Sequence, residues 1–437
     1  MTPVTAGAFG KAAAPAPPAP PNTIEETGLH PDTLNQLLLK TLVAGEASGT
    51  GLADKLHVPY AVLDSLIQHA RVEKLVEVRG AAGTGNAGYR YALTDLGRDR
   101  AGQFLDLCRY VGPAPVPLAQ YSAYVRASMV ARPYLDRTLL STGFSDLVVS
   151  TGMLDQLGPA VNSGKALFLY GAPGNGKTVV AEGIGRALGG EMHIPYAVDV
   201  DGQLMTMFDP VNHQKVGETA KTSTVIAAAG HDRRWETIRR PVVVVGGELT
   251  LEMLDLTFNP ISKFYEAPIQ LKAIGGVFVV DDFGRQRIPP RDLLNRWIVP
   301  LESRVDFLTL HTGRKFEVPF DVFIVFATNL KPESLADEAF LRRIPYKIEV
   351  GDPSREEFQT LFKIIAKGLH CEFQPESVDY LIEKHYKRVN RPLRRCQPRD
   401  LLNQVRNYCV YNGLPVEMKP EYFDRVVPSY FTVVAGK

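Results

Sequence analysis

Ala166-Leu-Phe-Leu-Tyr170, followed at once by Gly171-Ala172-Pro173-Gly174-Asn175-Gly176-Lys177-Thr178 and then Val179, is the stretch on which the fold turns. The apolar run predicts a short buried strand, and the residues from Thr178 to about Gly189 carry a helical pattern. A glycine-rich turn between strand and helix, closed by Lys-Thr, is a phosphate-binding loop in the context such a loop requires. Its glycines let successive backbone N–H groups turn inward around phosphate oxygens, and the following helix adds the positive end of its dipole. Gly171 to Val179 are therefore the expected nucleotide-binding residues. Lys177 would reach the β and γ phosphates, and the Thr178 hydroxyl would ligate Mg²⁺, so ATP with Mg²⁺ is the implied ligand.

A magnesium nucleotide needs an acidic partner, and Gly276-Val-Phe-Val-Val-Asp281-Asp282 supplies one. Four apolar residues place Asp281 at the carboxyl end of a strand, the ligand-binding edge of a parallel sheet. Asp281 should hold the metal through water, and Asp282 should polarise the attacking water. A third strand, Val322-Phe-Ile-Val-Phe-Ala-Thr-Asn329, ends in an amide suited to orient that water or touch the γ-phosphate. Beyond it come Asp337-Glu-Ala-Phe-Leu-Arg-Arg343-Ile and a strand-like Tyr346 to Val350.

The order of phosphate loop, acidic strand, strand ending in Asn, arginine and helical tail resembles the AAA+ ATPase family over roughly Phe144 to Phe431. Phe144-Ser-Asp-Leu-Val-Val149 and Leu154-Asp-Gln-Leu157 look like the stretch that packs beside adenine in that family. By matching positions, Asn329 is similar to sensor 1. Arg343, with Arg342 as the alternative, is similar to the arginine finger offered to a neighbouring subunit, and Arg399 in Gln397-Pro-Arg-Asp-Leu-Leu402 resembles sensor 2. The resemblance implies an α/β P-loop NTPase core with a C-terminal helical lid, ATP hydrolysis assisted by Asp282, Asn329, Arg343 and Arg399, and a homo-oligomeric, hexameric ring.

Two features depart from the family pattern. Asp282 stands where the catalytic residue is usually Glu, and its side chain is shorter by one methylene, about 1.5 Å. A misplacement of about 1 Å can cost on the order of a hundredfold in rate, although replication-initiator and helicase-loader branches carry a similar Asp-Asp pair. The other departure is length, about a hundred residues between the phosphate loop and Asp281. Insertions there resemble loops directed into the central pore of AAA+ rings, which makes Phe264 and Tyr265 candidates for gripping a partner chain. Val305 to Leu310 and Phe316 to Phe320 alternate on both sides of a glycine turn, indicating a β-hairpin whose tip holds Arg314 and Lys315. A hairpin before sensor 1 resembles the branch with MoxR-like chaperones, magnesium chelatase subunits and enhancer-binding activators.

At the other end, residues 1–28 read as a disordered Ala/Pro-rich tail. Residues 29–110 carry leucines at helical spacing, among them Leu34, Leu37, Leu38 and Leu42, then two strands around Gly80 to Gly88. With Tyr91-Ala-Leu-Thr-Asp-Leu-Gly-Arg98 this resembles a winged helix-turn-helix domain. Such a domain can enter a DNA groove, but the third helix sets Arg71 and Lys74 against Asp64 and Glu73, and the wing adds only Arg79 and Arg90, which favours protein docking. Residues 111–143, opened by Pro113, Pro115 and Pro117, are expected to be a linker, 144–350 the nucleotide-binding domain and 351–437 the lid. Within the lid, Lys387, Arg388, Arg391, Arg394 and Arg395 read as a solvated basic loop.

The composition is consistent with this plan. The 437 residues are 45% hydrophobic and 22% charged, with a formal charge of +1, so no global charge commits the chain to nucleic acid or membrane. No apolar run approaches the roughly twenty residues that span a bilayer. The scattered Cys108, Cys371, Cys396 and Cys409 have no ligand-like spacing and read as small buried apolar side chains in a cytoplasmic protein. Three readings follow: an ATPase that remodels or assembles a protein partner, a DNA-associated regulator, and a non-hydrolysing nucleotide-dependent scaffold.

Overall fold

The computed structural model describes residues 15–16, 18–81, 83, 85–132, 134–216, 230–335 and 338–431. The expected tail over residues 1–14 and the last residues of the expected lid, 432–437, lie outside the described residues. Residues 18–28, expected to be tail, are built in: Pro18 O accepts from the Asp232 amide at 2.9 Å, and Thr27 is fully buried. Prolines with a fixed φ lose less backbone entropy on ordering than ordinary residues.

Runs of consecutive apolar residues build the central sheet. Val277–Val280 and Phe323–Thr328 are buried at every position, and Leu167–Tyr170 at all but its last, as a sheet covered on both faces requires. The strand order is Val242–Val245, Val277–Val280, Phe323–Thr328, Leu167–Tyr170, Tyr346–Glu349. Leu167 lies opposite Val325 on one side and Tyr346 on the other, both pairings parallel. The expected α/β class, a parallel sheet with flanking helices followed by C-terminal helices, is what the structure has. Gly171, Asp281, Asn329 and Val350 each follow the last residue of one of these strands, so the sheet brings all four to its carboxyl edge.

The chain divides into two compact units. The first comprises Met1–Tyr134, Leu188–Phe278 and Asp292–Phe323. Helices Pro31–Leu42, Gly49–Leu56, Tyr60–Val72 and Asp95–Leu107 pack with a sheet ordered Ala47–Ser48, Tyr89–Leu93, Val76–Ala81. Ser48 and Thr94 cap two of the helices, accepting from the Gly51 and Gly97 amides at 3.0 Å. The leucines of this region share a core with Ala197 and Leu204, which lie between the phosphate loop and Asp281.

The described residues of that long insertion are folded. Thr257–Asn259, Phe264–Glu266, Gln203–Thr206, Ala197–Val200 and Val116–Pro117 form one sheet, in that order. Val116–Pro117 comes from the expected linker, as does Leu118–Val130, a helix that buries Tyr121, Tyr124 and Val125. The prolines do not loosen this segment; they hold it extended at a sheet edge, where no ladder donor is required of them. Arg234 and Asp232, both fully buried, pair at 2.7 Å, and the same guanidinium reaches Thr27 O and Pro115 O. The pore-grip expectation is overturned for Tyr265, and Phe264 is half-buried. Tyr265 is 1% exposed and its hydroxyl bonds to His311, while Phe264 packs edge-on against Tyr110. The expected hairpin is present, with Val305–Thr309 antiparallel to Lys315–Pro319.

The second unit comprises Leu135–Ala187, Val279–Arg291 and Ile324–Lys437. Its helices Arg355–Gly368, Pro375–Leu381, Gln397–Tyr411 and Pro420–Tyr430 close on a core of Phe358, Phe362, Leu381, Leu401, Leu402, Val405 and Phe423. Ser354 and Glu357 cap the first of these reciprocally. Of the basic cluster, Lys387 and Arg388 are exposed as expected, but the other three are engaged: Arg391 lies 3.5 Å above the Phe431 ring, Arg394 pairs with Asp352, and Arg395 pairs with Glu357 at 2.8 Å. Arginine planes stack and fork where a lysine would stay hydrated. No helix among the described residues is long and apolar enough to cross a membrane.

Candidate functional site

The phosphate-loop sequence adopts the backbone its glycines allow. Gly171, Gly174 and Gly176 have φ of 140°, 80° and 82°. A Cβ on Gly171 would stand 2.5 Å from Val350 O, and one on Gly174 2.6 Å from Cys396 Sγ, so the loop is seated where only glycine fits. Lys177 begins the helix Lys177–Leu188 and folds back over the loop, donating to Gly171 O at 3.0 Å, Ala172 O at 3.2 Å and Asn329 Oδ1 at 2.6 Å. Burial pushes its pKa below the ordinary lysine value; Asp281 and Asp282 oppose this, and Arg285 and Arg394 add to it.

Thr178 Oγ1 donates to Asp281 Oδ2 at 2.7 Å, which sets a hydroxyl and a carboxylate oxygen side by side. Hard oxygens of this kind suit Mg²⁺. Asp282 has φ 47°, the left-handed conformation, which turns the chain sharply after its strand. Its amide donates to Asp281 Oδ1, and its own Oδ1 accepts from Asn329 Nδ2, both at 2.9 Å. Asn329 thus joins Lys177 to Asp282. Gln286 Nε2 closes the turn onto Asp281 O at 3.0 Å.

These groups line one cavity of about 630 Å³ within the second unit. The size falls in the range of about 300–1,000 Å³ common for small-molecule sites. Its polar end holds Lys177, Thr178, Asp281, Asp282 and Asn329, and its other walls are Val148, Val149, Met153, Leu361, Ile364 and Ile365. An apolar slot beside a cationic loop is suited to a flat base attached to phosphates. Arg399 lines the cavity with a 65% exposed side chain and contacts Asp400 at 3.2 Å. Arg343, half-buried just past the helix Glu338–Leu341, is not part of its lining.

The polar end and the Val148–Val149 wall are where the sequence places them, whereas several other lining residues carry no such signal. Leu361, Ile364 and Ile365 of the helix Arg355–Gly368 line the cavity, and Ile365 also packs on the core of the C-terminal helices. Cys396, read as buried and inert, lines it too. Arg285 also lines it, and its only sequence signal was its place three residues after Asp282.

Residues 354–429 match a family described as a domain of unknown function, DUF8689. A search of curated proteins finds no match. Among solved structures, NtrX from Brucella abortus in complex with ADP is similar at 16% identity and a TM-score of 0.37, over 68% of this chain. The match spans 64% of that NtrX chain, just under two thirds of its length. A point mutant of RuvB from Thermotoga maritima is similar at 12% identity and a TM-score of 0.39, over 64% of this chain and 69% of that one.

Proposed function

We propose that this chain is an AAA+ ATPase that binds ATP with Mg²⁺, hydrolyses it, and works as a homo-oligomeric ring on a protein partner. The observation that carries the reading is the convergence, at one sheet edge, of a glycine-built loop, a buried lysine, a Thr–Asp oxygen pair and an Asp–Asn pair. Backbone amides of Gly174 to Thr178 and the Lys177 ammonium would hold the β and γ phosphates, while Val148, Val149 and Ile365 would enclose the base. Thr178 and Asp281 would hold the metal, which when bound neutralises phosphate charge. Asp282 would accept the proton of the attacking water, with Asn329 fixing that carboxylate through its amide. The cations of Lys177, Arg285 and Arg399 would stabilise charge on the phosphoryl group in transfer.

Arg343 lies outside the cavity of its own chain, which agrees with a cation supplied to the neighbouring subunit's site. For the N-terminal module, three helices followed by a strand pair support a winged-helix reading. Its two wing arginines are paired: Arg79 with Glu77 at 2.7 Å and Arg90 with Glu46 at 2.9 Å. That pairing favours a protein over DNA as the docked partner, because phosphate contacts would need these charges released. The test is ATP binding and phosphate release by the purified chain with Mg²⁺, followed across a range of protein concentration. Binding with turnover that rises on assembly supports the proposal; absence of ATP binding sinks it.

A further inference from the structure

The phosphate loop is tied to the start of helix Gln397–Tyr411 at two points. The first is a backbone bond, the Cys396 amide donating to Gly174 O at 2.9 Å. The second runs through side chains: Asn175 Nδ2 donates to Val350 O at 3.3 Å and to Asp352 Oδ1 at 2.7 Å, and the Arg394 guanidinium pairs with that same Asp352 oxygen. Asn175 is fully buried and sits two residues before Lys177. Arg394 N in turn donates to Gln397 Oε1 at 2.7 Å, joining the bridge to the first residue of the helix that carries Arg399. The contacts are direct, so a shift of the loop by a few tenths of an ångström must move one or both of them.

We propose that Asp352 is a positioning residue that couples the phosphate loop to the segment Arg394–Arg399. The inference rests on the nucleotide reading of the cavity given above. One carboxylate oxygen has two duties: toward Asn175 it acts as a plain acceptor, toward Arg394 as an anion. The two can therefore be separated by chemistry. Asparagine at position 352 keeps an acceptor for Asn175 but loses the charge for Arg394; alanine loses both.

The experiment is steady-state ATP hydrolysis and direct MgATP binding by the full chain and the variants Asp352→Ala, Asp352→Asn, Arg394→Ala and the double variant Asp352→Asn/Arg394→Ala. Asp352→Ala should raise KM and Kd for ATP on the order of tenfold, because Asn175 loses the shorter of its two anchoring bonds. Asp352→Asn and Arg394→Ala should leave KM and Kd within about twofold while lowering kcat by roughly tenfold, and the double variant should be no slower than either, as expected for one shared contact. A purely structural role would not split KM from kcat in this way. The coupling is overturned if Asp352→Asn weakens ATP binding as much as Asp352→Ala, if Arg394→Ala keeps wild-type kcat, or if the double variant shows the product of the single effects. A wild-type chain that binds no ATP would overturn the reading beneath it instead, and would do so before any variant is made.

Discussion

Replacing Lys177 by Met removes a cation that the fold holds 7% exposed over the phosphate loop, and its effect can be worked from its contacts. At about 3 Å and an effective dielectric near 20, a unit charge pair is worth about 5 kcal/mol. Against this stands what the ammonium already has, three oxygen acceptors at Gly171, Ala172 and Asn329. Giving up one or two of them for phosphate returns about 2 kcal/mol, taking hydrogen bonds to charged groups at their usual worth. The net is about 3 kcal/mol, so Lys177→Met should weaken MgATP binding by roughly a hundredfold. Calorimetric titration of both proteins measures it. The depressed pKa of Lys177 adds a second signature. Phosphate raises the pKa of the bound lysine, so binding takes up a proton, and affinity should fall as pH rises through the free-protein value, below the ordinary 10.5. The Met variant should lose that slope. Affinity within about threefold of wild type, or an unchanged alkaline slope, would refute the assignment, since roughly 0.7 kcal/mol is too little for a phosphate-bound cation.

Asp282→Asn should keep ATP affinity within a few-fold and lower turnover by at least about a hundredfold, the scale of a lost general base; phosphate release and nucleotide binding measured side by side separate the two effects. Thr178→Val removes the hydroxyl that meets Asp281 at 2.7 Å, and the Mg²⁺ concentration needed for half-maximal ATP binding should rise by about tenfold, which a metal titration reads. Tyr265→Phe deletes a buried hydroxyl that accepts the His311 amide at 3.0 Å, so urea unfolding should register a loss of about 1–2 kcal/mol while basal turnover stays at the wild-type rate. A turnover defect in that variant would restore a working role to the insertion that its burial denies.

The parts of the site that were legible are those where chemistry and local pattern coincide in a few residues. Gly171 to Thr178 must bend around an anion, and only glycine at the bends and Lys-Thr at the close will do, so the string announces itself. Asp281 and Asn329 were legible because four to six buried apolar residues precede each, and a polar residue after such a run can only emerge at the sheet edge. The same logic failed in Phe264-Tyr265, where an aromatic pair was read by type alone. A strand of three residues has too little alternation to say which face is inward, and Tyr265 proved to be core with its hydroxyl on His311.

What could not be read was whatever depends on two distant segments meeting. Helical spacing puts Leu361, Phe362 and Ile365 near one stripe, but the stripe is wider than one neighbour: Phe362 faces the other C-terminal helices, Leu361 lines the cavity, and Ile365 touches both. Spacing gives a helix's apolar width and not what lies against each part of it. Charge is harder still. Arg394 and Arg395 look solvated because their counter-ions are not adjacent in sequence: Asp352 lies 42 residues before Arg394, and Glu357 38 before Arg395. A basic run with no acid in view is therefore ambiguous between a solvated face and a set of clamps. What distinguishes them is arginine content, since a fork that must hold a carboxylate and a carbonyl together cannot be made by lysine. Four of the five cations in that run are arginine, and three of the four hold another segment of the chain.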